Sequence, residues 1–417
     1  MDATTGVRGG RGGPDDAPSE PMDAGASVGE ATPPTRVAEL GDEPTRFLDF
    51  VLGTVALFAV AVPRAPGSFS VGQVALLSLI ALALFRRPTR SMEGLRALPV
   101  IAALLLVYLA LVSLTGPDQS LFGWPKRALR LAMVMTAFMC IVNGRIHYPS
   151  LVRGIAAGLV VNAGLFFAGI APAPYQGYLT GYLLDKNQAG LAYTIAGVLL
   201  IGVTTDRRRQ LAILAVTSAL VWASGSRTSL AALAFAVIWF AVRPRITVIA
   251  RLALGTSMAL VLPFVQEKYG QAGEFANRVG TDSFRARIDA ASQAKLGRAP
   301  FQGQGLGEAW IQLPDGATYF FHNSYWAVLI EGGWVYLAVL LVAHVWFGMR
   351  PLRPGPPPSL LARSGEAANL AVLVCALRLG EVFGATTATI ALAAGMIGYL
   401  QAESLKRVAS GADTVTR

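Results

Sequence analysis

Charged side chains are scarce in this sequence. Asp, Glu, Lys and Arg make up 14% of its 417 residues, where a soluble domain carries about a quarter. That shortage excludes an ordinary water-solvated globule. Cysteine is limited to Cys140 and Cys375, both inside apolar runs, so no disulfide framework is implied and the pair reads as small buried hydrophobes. There are three histidines, and no tight carboxylate pair with ligand spacing accompanies them, so neither a metal cage nor any cofactor is expected. No basic segment abuts an apolar core and a small-residue cleavage site near the start, which argues against a secretory signal.

Apolar residues, by contrast, reach 53%, a lipid-solvated composition. The runs approach the length a bilayer core demands, and reading each as a span gives twelve: residues 47–62, 69–85, 98–114, 128–142, 151–171, 188–205, 211–223, 229–242, 246–265, 325–347, 367–384 and 386–400. The expected fold is all-α, a polytopic transmembrane helical bundle. Residues 1–45, rich in Gly, Pro, Asp and Ala, read as a disordered cytoplasmic tail. Spans one to nine occupy 46–265, a polar Gly-rich loop follows over 266–324, spans ten to twelve fill 325–402, and 403–417 form a second tail.

Orientation follows from Lys and Arg in the short connectors. One alternating set carries fifteen: Arg86, Arg87, Arg90, Arg96, Arg145, Arg153, Arg207 to Arg209, Arg243, Arg245, Arg251, Arg350, Arg353 and Arg363. The other carries six: Arg64, Lys126, Arg127, Arg130, Lys186 and Arg227. The first set therefore faces the cytoplasm, as do both termini, and the 266–324 loop is extracytoplasmic. The net charge of +10 is scattered through these connectors, which fits membrane topology and excludes a nucleic-acid face.

Four clusters on the outer side carry chemistry. In Ser224-Gly225-Ser226-Arg227-Thr228-Ser229 the arginine is either a snorkelling residue of an ordinary turn or, flanked by small residues that let helices approach, an inward guanidinium whose fork grips phosphate. In Asp185-Lys186-Asn187-Gln188, Asn187 is a helix cap or orients a sugar hydroxyl, and Lys186 can bind an anion. The loop offers Arg285 and Arg287, then Gly303-x-Gly305-x-Gly307, read as solvated charge and a turn or as a diphosphate cradle. It lacks the strand and helix context of a dinucleotide fingerprint. The fourth cluster is His322-Asn323-Ser324, with Glu331-Gly332-Gly333 one to two turns further on. An imidazole with an ordinary pKa near 6.5 suits a general base at neutral pH, and the alternative is a loop hydrogen bond. Arg378 and Glu381 fall inside the eleventh run at i, i+3, where they share a helix face and can neutralise each other.

The ordered set Asp185-Lys186-Asn187-Gln188, Ser226-Arg227-Thr228, Arg287, Gly303-x-Gly305 and His322-Asn323-Ser324 with Glu331-Gly332-Gly333, together with the span pattern, resembles the O-antigen ligase and O-antigen polymerase superfamily over residues 180–340. The resemblance implies a GT-C-like fold in a bacterial cytoplasmic (inner) membrane. It also implies a metal-independent glycosyltransferase, moving a glycan from a polyprenyl diphosphate carrier to a hydroxyl on a lipid, glycan or protein acceptor. It makes His322 the base and Arg227 and Arg287 the diphosphate binders; from the clusters themselves, Arg285, Lys186, Asn187, Asn323 and Glu331 are read as further substrate contacts. Ligases and repeat-unit polymerases share these residues. A transporter or flippase is the alternative from another class, although its chemistry would sit at the midplane of repeated halves. A non-catalytic scaffold has little reason to gather Arg227, Arg287 and His322 on one face.

Overall fold

The computed structural model describes residues 44–62, 69–117, 123–175, 177–269 and 279–409. The expected tails at 1–45 and 403–417 lie mostly outside them. Among the described residues there are thirteen α-helices and one two-stranded hairpin. The first five are α1 (Phe47–Val55), α2 (Val71–Leu84), α3 (Leu98–Thr115), α4 (Trp124–Val142) and α5 (Tyr148–Phe167). Then come α6 (Lys186–Gly202), α7 (Arg207–Ala223), α8 (Arg227–Val242) and α9 (Val248–Tyr269). After α10 (Val279–Leu296), strands β1 (Trp310–Gln312) and β2 (Thr318–Phe320) pair antiparallel, with Ile311 opposite Tyr319. The chain closes with α11 (Ser324–Leu341), α12 (Leu360–Ala376) and α13 (Thr386–Ala409).

Each apolar run lies on a helix, with differences. Three stretches are long and apolar enough to cross a membrane: Glu93–Thr115, Tyr148–Phe167 and Ser324–Met349. The first run, 47–62, is helical only to Val55, after which the chain folds back so that Val60 O and Phe58 O accept from Val71 and Gly72 N–H. A Cβ on Gly72 would meet Ala56 O at 2.6 Å, so this return needs glycine. The eleventh run is helical through Ala376 and then becomes an irregular turn over 377–385. The 266–324 loop is partly built, containing α10 and the hairpin, and α13 continues beyond the expected boundary at 402.

Small residues set the close packing. α1 lies on α5 where Gly154 and Gly158 approach its backbone, and a Cβ on Gly158 would stand 2.8 Å from Thr54 Cα. This is the small-xxx-small contact that lets helices pack by van der Waals attraction without an aqueous hydrophobic drive. α12 is the central element, buried along nearly its whole length against α6, α8 and α13. Gly365 touches the Ala394–Gly395 backbone of α13, and Gly395 in turn touches Gly348. α3 is peripheral and presents Val100, Leu104 and Leu111 outward.

α11 breaks at Gly332 (φ −142°) and Gly333 (φ 63°, ψ −161°), a conformation essentially reserved for glycine. The freed peptide groups are taken up by the segment 301–305. Gln304 N–H donates to Ile330 O (2.6 Å), Gly305 N–H to Glu331 O (3.2 Å), and Trp334 N–H to Phe301 O (3.1 Å). Tyr108 Oη of α3 donates to Gly332 O at 3.1 Å. Gly333→Ala adds left-handed strain of about 1–3 kcal/mol to a collision with Phe301 O and Gln302 Cα. Thermal unfolding in detergent is expected to show marked destabilisation, whereas Gly255→Ala, at a helical glycine with no atom within 4 Å of its added methyl, is neutral or stabilising.

Candidate functional site

Six segments far apart in sequence converge on one cavity of about 860 Å³. The first turns of α4 contribute Lys126, Arg127 and Arg130, and the entry to α6 contributes Asp185, Lys186, Asn187 and Gln188. α10 supplies Phe284, Arg285 and Ile288, the hairpin and its exit Thr318 to His322, α11 Glu331, and the turn after α12 Arg378 to Glu381. Its walls hold six cations (Lys126, Arg127, Arg130, Lys186, Arg285, Arg378) against three anions (Asp185, Glu331, Glu381). Three positive charges are in excess, which makes the cavity an anion receptor in a partly desolvated setting.

Local folding explains each placement. Asp185 caps α6, accepting from Asn187 and Gln188 N–H at 2.9 and 2.8 Å, so the cap is Asp185 and Asn187 is left to line the cavity. The preceding residue, Leu184, holds φ 63°. Lys186 Nζ sits 4.8 Å from the Tyr178 ring centroid and 5.5 Å from that of Tyr175, a cation–π cradle that fixes its direction. Asn323 caps α11, its Oδ1 accepting from Tyr325 and Trp326 N–H. It is not among the cavity-lining residues. α10 is stapled to the hairpin by Lys295, whose Nζ donates to Glu308 O (2.7 Å) and Trp310 O (3.0 Å).

His322 follows β2 and lines the cavity, and its buried Nδ1 finds no hydrogen-bond partner among the described residues. Burial, then the Arg285 charge, lower its pKa from 6.5 to about 4, against an opposing pull from Asp185. The imidazole is therefore neutral at pH 7, further from its titration point than its ordinary pKa implies. Asp289 on α10, which shares the Arg285 charge, moves the other way. Burial raises its carboxyl, while Arg378 at 3.5 Å and Arg285 draw it down.

The structure separates residues that the sequence reading grouped. Arg285 and Ile288 face inward from α10, while Arg287, two positions from Arg285, is on the exposed side and outside the cavity. Helical periodicity is the cause. Arg227 opens α8 and is also outside the lining. Its segment packs closely, with Gly225 (φ 64°) against the Tyr178 ring that holds Lys186, and Ser226 and Ser229 against Gly190 of α6. The Gly-rich turn is not a ligand cradle at its first two glycines. A Cβ on Gly303 would meet Gly333 N at 2.6 Å and one on Gly305 would meet Ser113 Cα at 2.8 Å, so protein backbone fills that space. Only Gly307 reaches the cavity, donating its N–H to Glu331 Oε1 at 3.0 Å.

Arg378 and Glu381 do not neutralise each other, because the turn carries them past the end of α12. Arg378 pairs with Asp289, and Glu381 (φ 59°) pairs with Arg127 at 2.5 Å. Ser324 Oγ, which donates to Leu379 O and accepts from Val382 N–H, pins that turn, and Gln188 donates to Gly380 O. Arg127 also lies 2.6 Å from Glu331, which is 2% exposed. This carboxylate–guanidinium–carboxylate triad lines both the charged cavity and a second chamber of about 420 Å³ that has fewer charged residues and includes Leu57, Phe58, Leu131, Met133, Val134 and Val328 in its walls. Lys126, Arg127 and Arg130 enter the sequence reading only as orienting charges. Their spacing of one, three and four at the head of an apolar run was the available signal. Among the described residues no three His, Cys, Asp or Glu side chains group together. No protein-family model and no curated protein matches the chain.

Proposed function

We propose that the chain is a multi-pass protein of the bacterial cytoplasmic membrane, with twelve spans in a GT-C-like arrangement and the cavity on the extracytoplasmic side. In this reading it transfers a glycan from a polyprenyl diphosphate carrier to an acceptor hydroxyl. The observation that carries the reading is a cavity with six cations in its walls, a neutral imidazole among its lining residues and a second chamber adjoining it across the Arg127 triad. The outward apolar side chains of α3 are what a lipid phase would cover, and the connector charges orient the bundle.

The step balances on these residues. The acceptor oxygen attacks the anomeric carbon, its proton passes to a His322 ring nitrogen, and the bond from that carbon to the diphosphate oxygen breaks with its electron pair leaving on the diphosphate. Preorganised cations stabilise the charge that develops there. Arg285 and Lys186 are the diphosphate contacts favoured by the geometry, and Arg227 lies outside the lining, two residues after Gly225, which packs on the Tyr178 ring under Lys186. The same diphosphate, lying beside His322, offsets the Arg285 charge and raises the imidazole pKa when donor binds.

Reconstitution with a polyprenyl diphosphate glycan and candidate acceptors, with mass analysis of the product, tests this. Arg285→Ala is expected to lower kcat/KM by about ten-fold or more, the scale of one charge-assisted hydrogen bond, while Arg287→Ala stays near wild type. Substrate crossing the bilayer with no glycosidic bond formed would sink the enzyme reading.

A further inference from the structure

At the opposite end of the bundle, one helix length from His322, four arginines surround a single carboxylate. The helical stretch Ser324–Met349, 26 residues broken at Gly332–Gly333, ends at Arg350, which holds the left-handed φ of 49°. Arg243 Nε lies 2.9 Å and Arg350 Nη2 3.3 Å from the Glu366 carboxylate. Arg251 and Arg353 act on the same carboxylate through their charge. Arg243, Arg251, Arg350 and Glu366 are each no more than 5% exposed. Four cations against one anion leave three positive charges in excess, and three of the four guanidinium groups, Arg243, Arg251 and Arg350, are buried, where charge without compensation is costly.

Their donors are unsatisfied too. Arg243 and Arg251 both hold the carbonyls of Arg353 and Gly355. Arg350 Nε and Nη1, Arg251 Nε and Arg353 Nη1, all buried, have no hydrogen-bond partner among the described residues. Arg350 and Arg353 repel one another, as do Arg243 and Arg251. An oxyanion with several acceptor oxygens is the ligand chemistry that meets both needs, since guanidinium forks match phosphate geometry.

We propose that Arg350, Arg353 and Arg251 form a phosphate-oxyanion site at this end of the bundle, separate from the cavity at the other. Its surroundings favour the phosphodiester of a membrane phospholipid over free phosphate. Leu252, next to Arg251 on α9, is 45% exposed, Ile249 on the opposite face of that helix is 80% exposed, and Trp346, four residues before Arg350, is 58% exposed. Apolar side chains bordering a buried cation cluster mark a headgroup position with acyl chains alongside.

The test uses the purified full chain stripped of lipid, with phosphatidylglycerol or phosphatidylcholine vesicles in one arm and inorganic phosphate in the other. Retention of lipid by native mass spectrometry and the melting temperature are the readouts. Arg353→Gln keeps the backbone carbonyl that Arg243 and Arg251 hold, so it removes a phosphate donor without dismantling the ion pair. Phosphatidylglycerol retained by the wild type and at least ten-fold weaker in Arg353→Gln supports a lipid ligand. Stabilisation by inorganic phosphate that disappears in Arg353→Gln supports a soluble one. Binding in neither arm, or a loss no greater than in Arg209→Gln, a surface arginine with an 80% exposed side chain, overturns the site.

Discussion

Under the proposed function, His322→Ala is expected to lower kcat for glycan transfer about 10²–10⁴-fold, the range for loss of a positioned general base, while expression and melting temperature stay at wild-type values. The fold loses little, because His322 Nδ1 makes no hydrogen bond in the described structure. The pH dependence carries the more specific expectation. In the free enzyme burial and Arg285 hold the imidazole pKa at about 4, so kcat/KM, which reports free-enzyme ionisations, keeps its acid limb near that value rather than near 6.5. Bound diphosphate moves the limb of kcat upward. Stability follows the same linkage. The folded pKa lies below the unfolded 6.5, so between pH 6.5 and about 4 the unfolded chain binds the extra proton, and this contribution to stability is lost as pH falls through that window. Rate profiles measured on donor-saturated and donor-limited proteoliposomes check both limbs. A kcat/KM limb near 6.5 would remove the desolvated imidazole from the mechanism.

Arg127→Ala produces the largest structural effect. It strands Glu331, 2% exposed, with only the Gly307 N–H as compensation, and leaves Glu381 in its left-handed turn without a counter-ion. Breaking a buried pair from one side costs about 3–5 kcal/mol. A large drop in melting temperature in detergent is expected, together with loss of transfer as the wall between the two chambers rearranges. Adding Glu331→Gln to Arg127→Met removes both charges and is expected to recover much of the stability without recovering activity. If the single and double variants melt alike, the triad is not a coupled unit.

The position of the helices was legible in the sequence because apolar runs of this length admit few alternatives. Lys186, Asn187, Arg285, Glu331 and His322 were legible as a list, since each is an ionisable or amide side chain at the edge of a run, within one, or in the polar loop. What sequence could not supply was direction. Arg285 and Arg287 are equivalent until α10 is known to be a helix with Phe284 and Ile288 inward, and α10 is too polar for its periodicity to announce it. Arg378 and Glu381 looked like helical neighbours because nothing local says that α12 stops at Ala376. Ser324 and Gln188, distant in sequence, impose the turn. Gly303 and Gly305 have the composition of a phosphate loop, but their open space is taken by α11 and α3, a fact of tertiary packing.

The interruption at Gly332–Gly333 limits how a substrate gets in. Residues 301–307 serve as a splint across the broken helix, supplying the partners that a continuous ladder would have provided. Lifting that stretch would expose bare peptide groups within the bundle, at several kcal/mol apiece in a lipid setting, so it is a fixed doorpost. Under the proposed function, any movement that admits a donor or acceptor is expected in the hairpin and the face of α10, which also line the cavity.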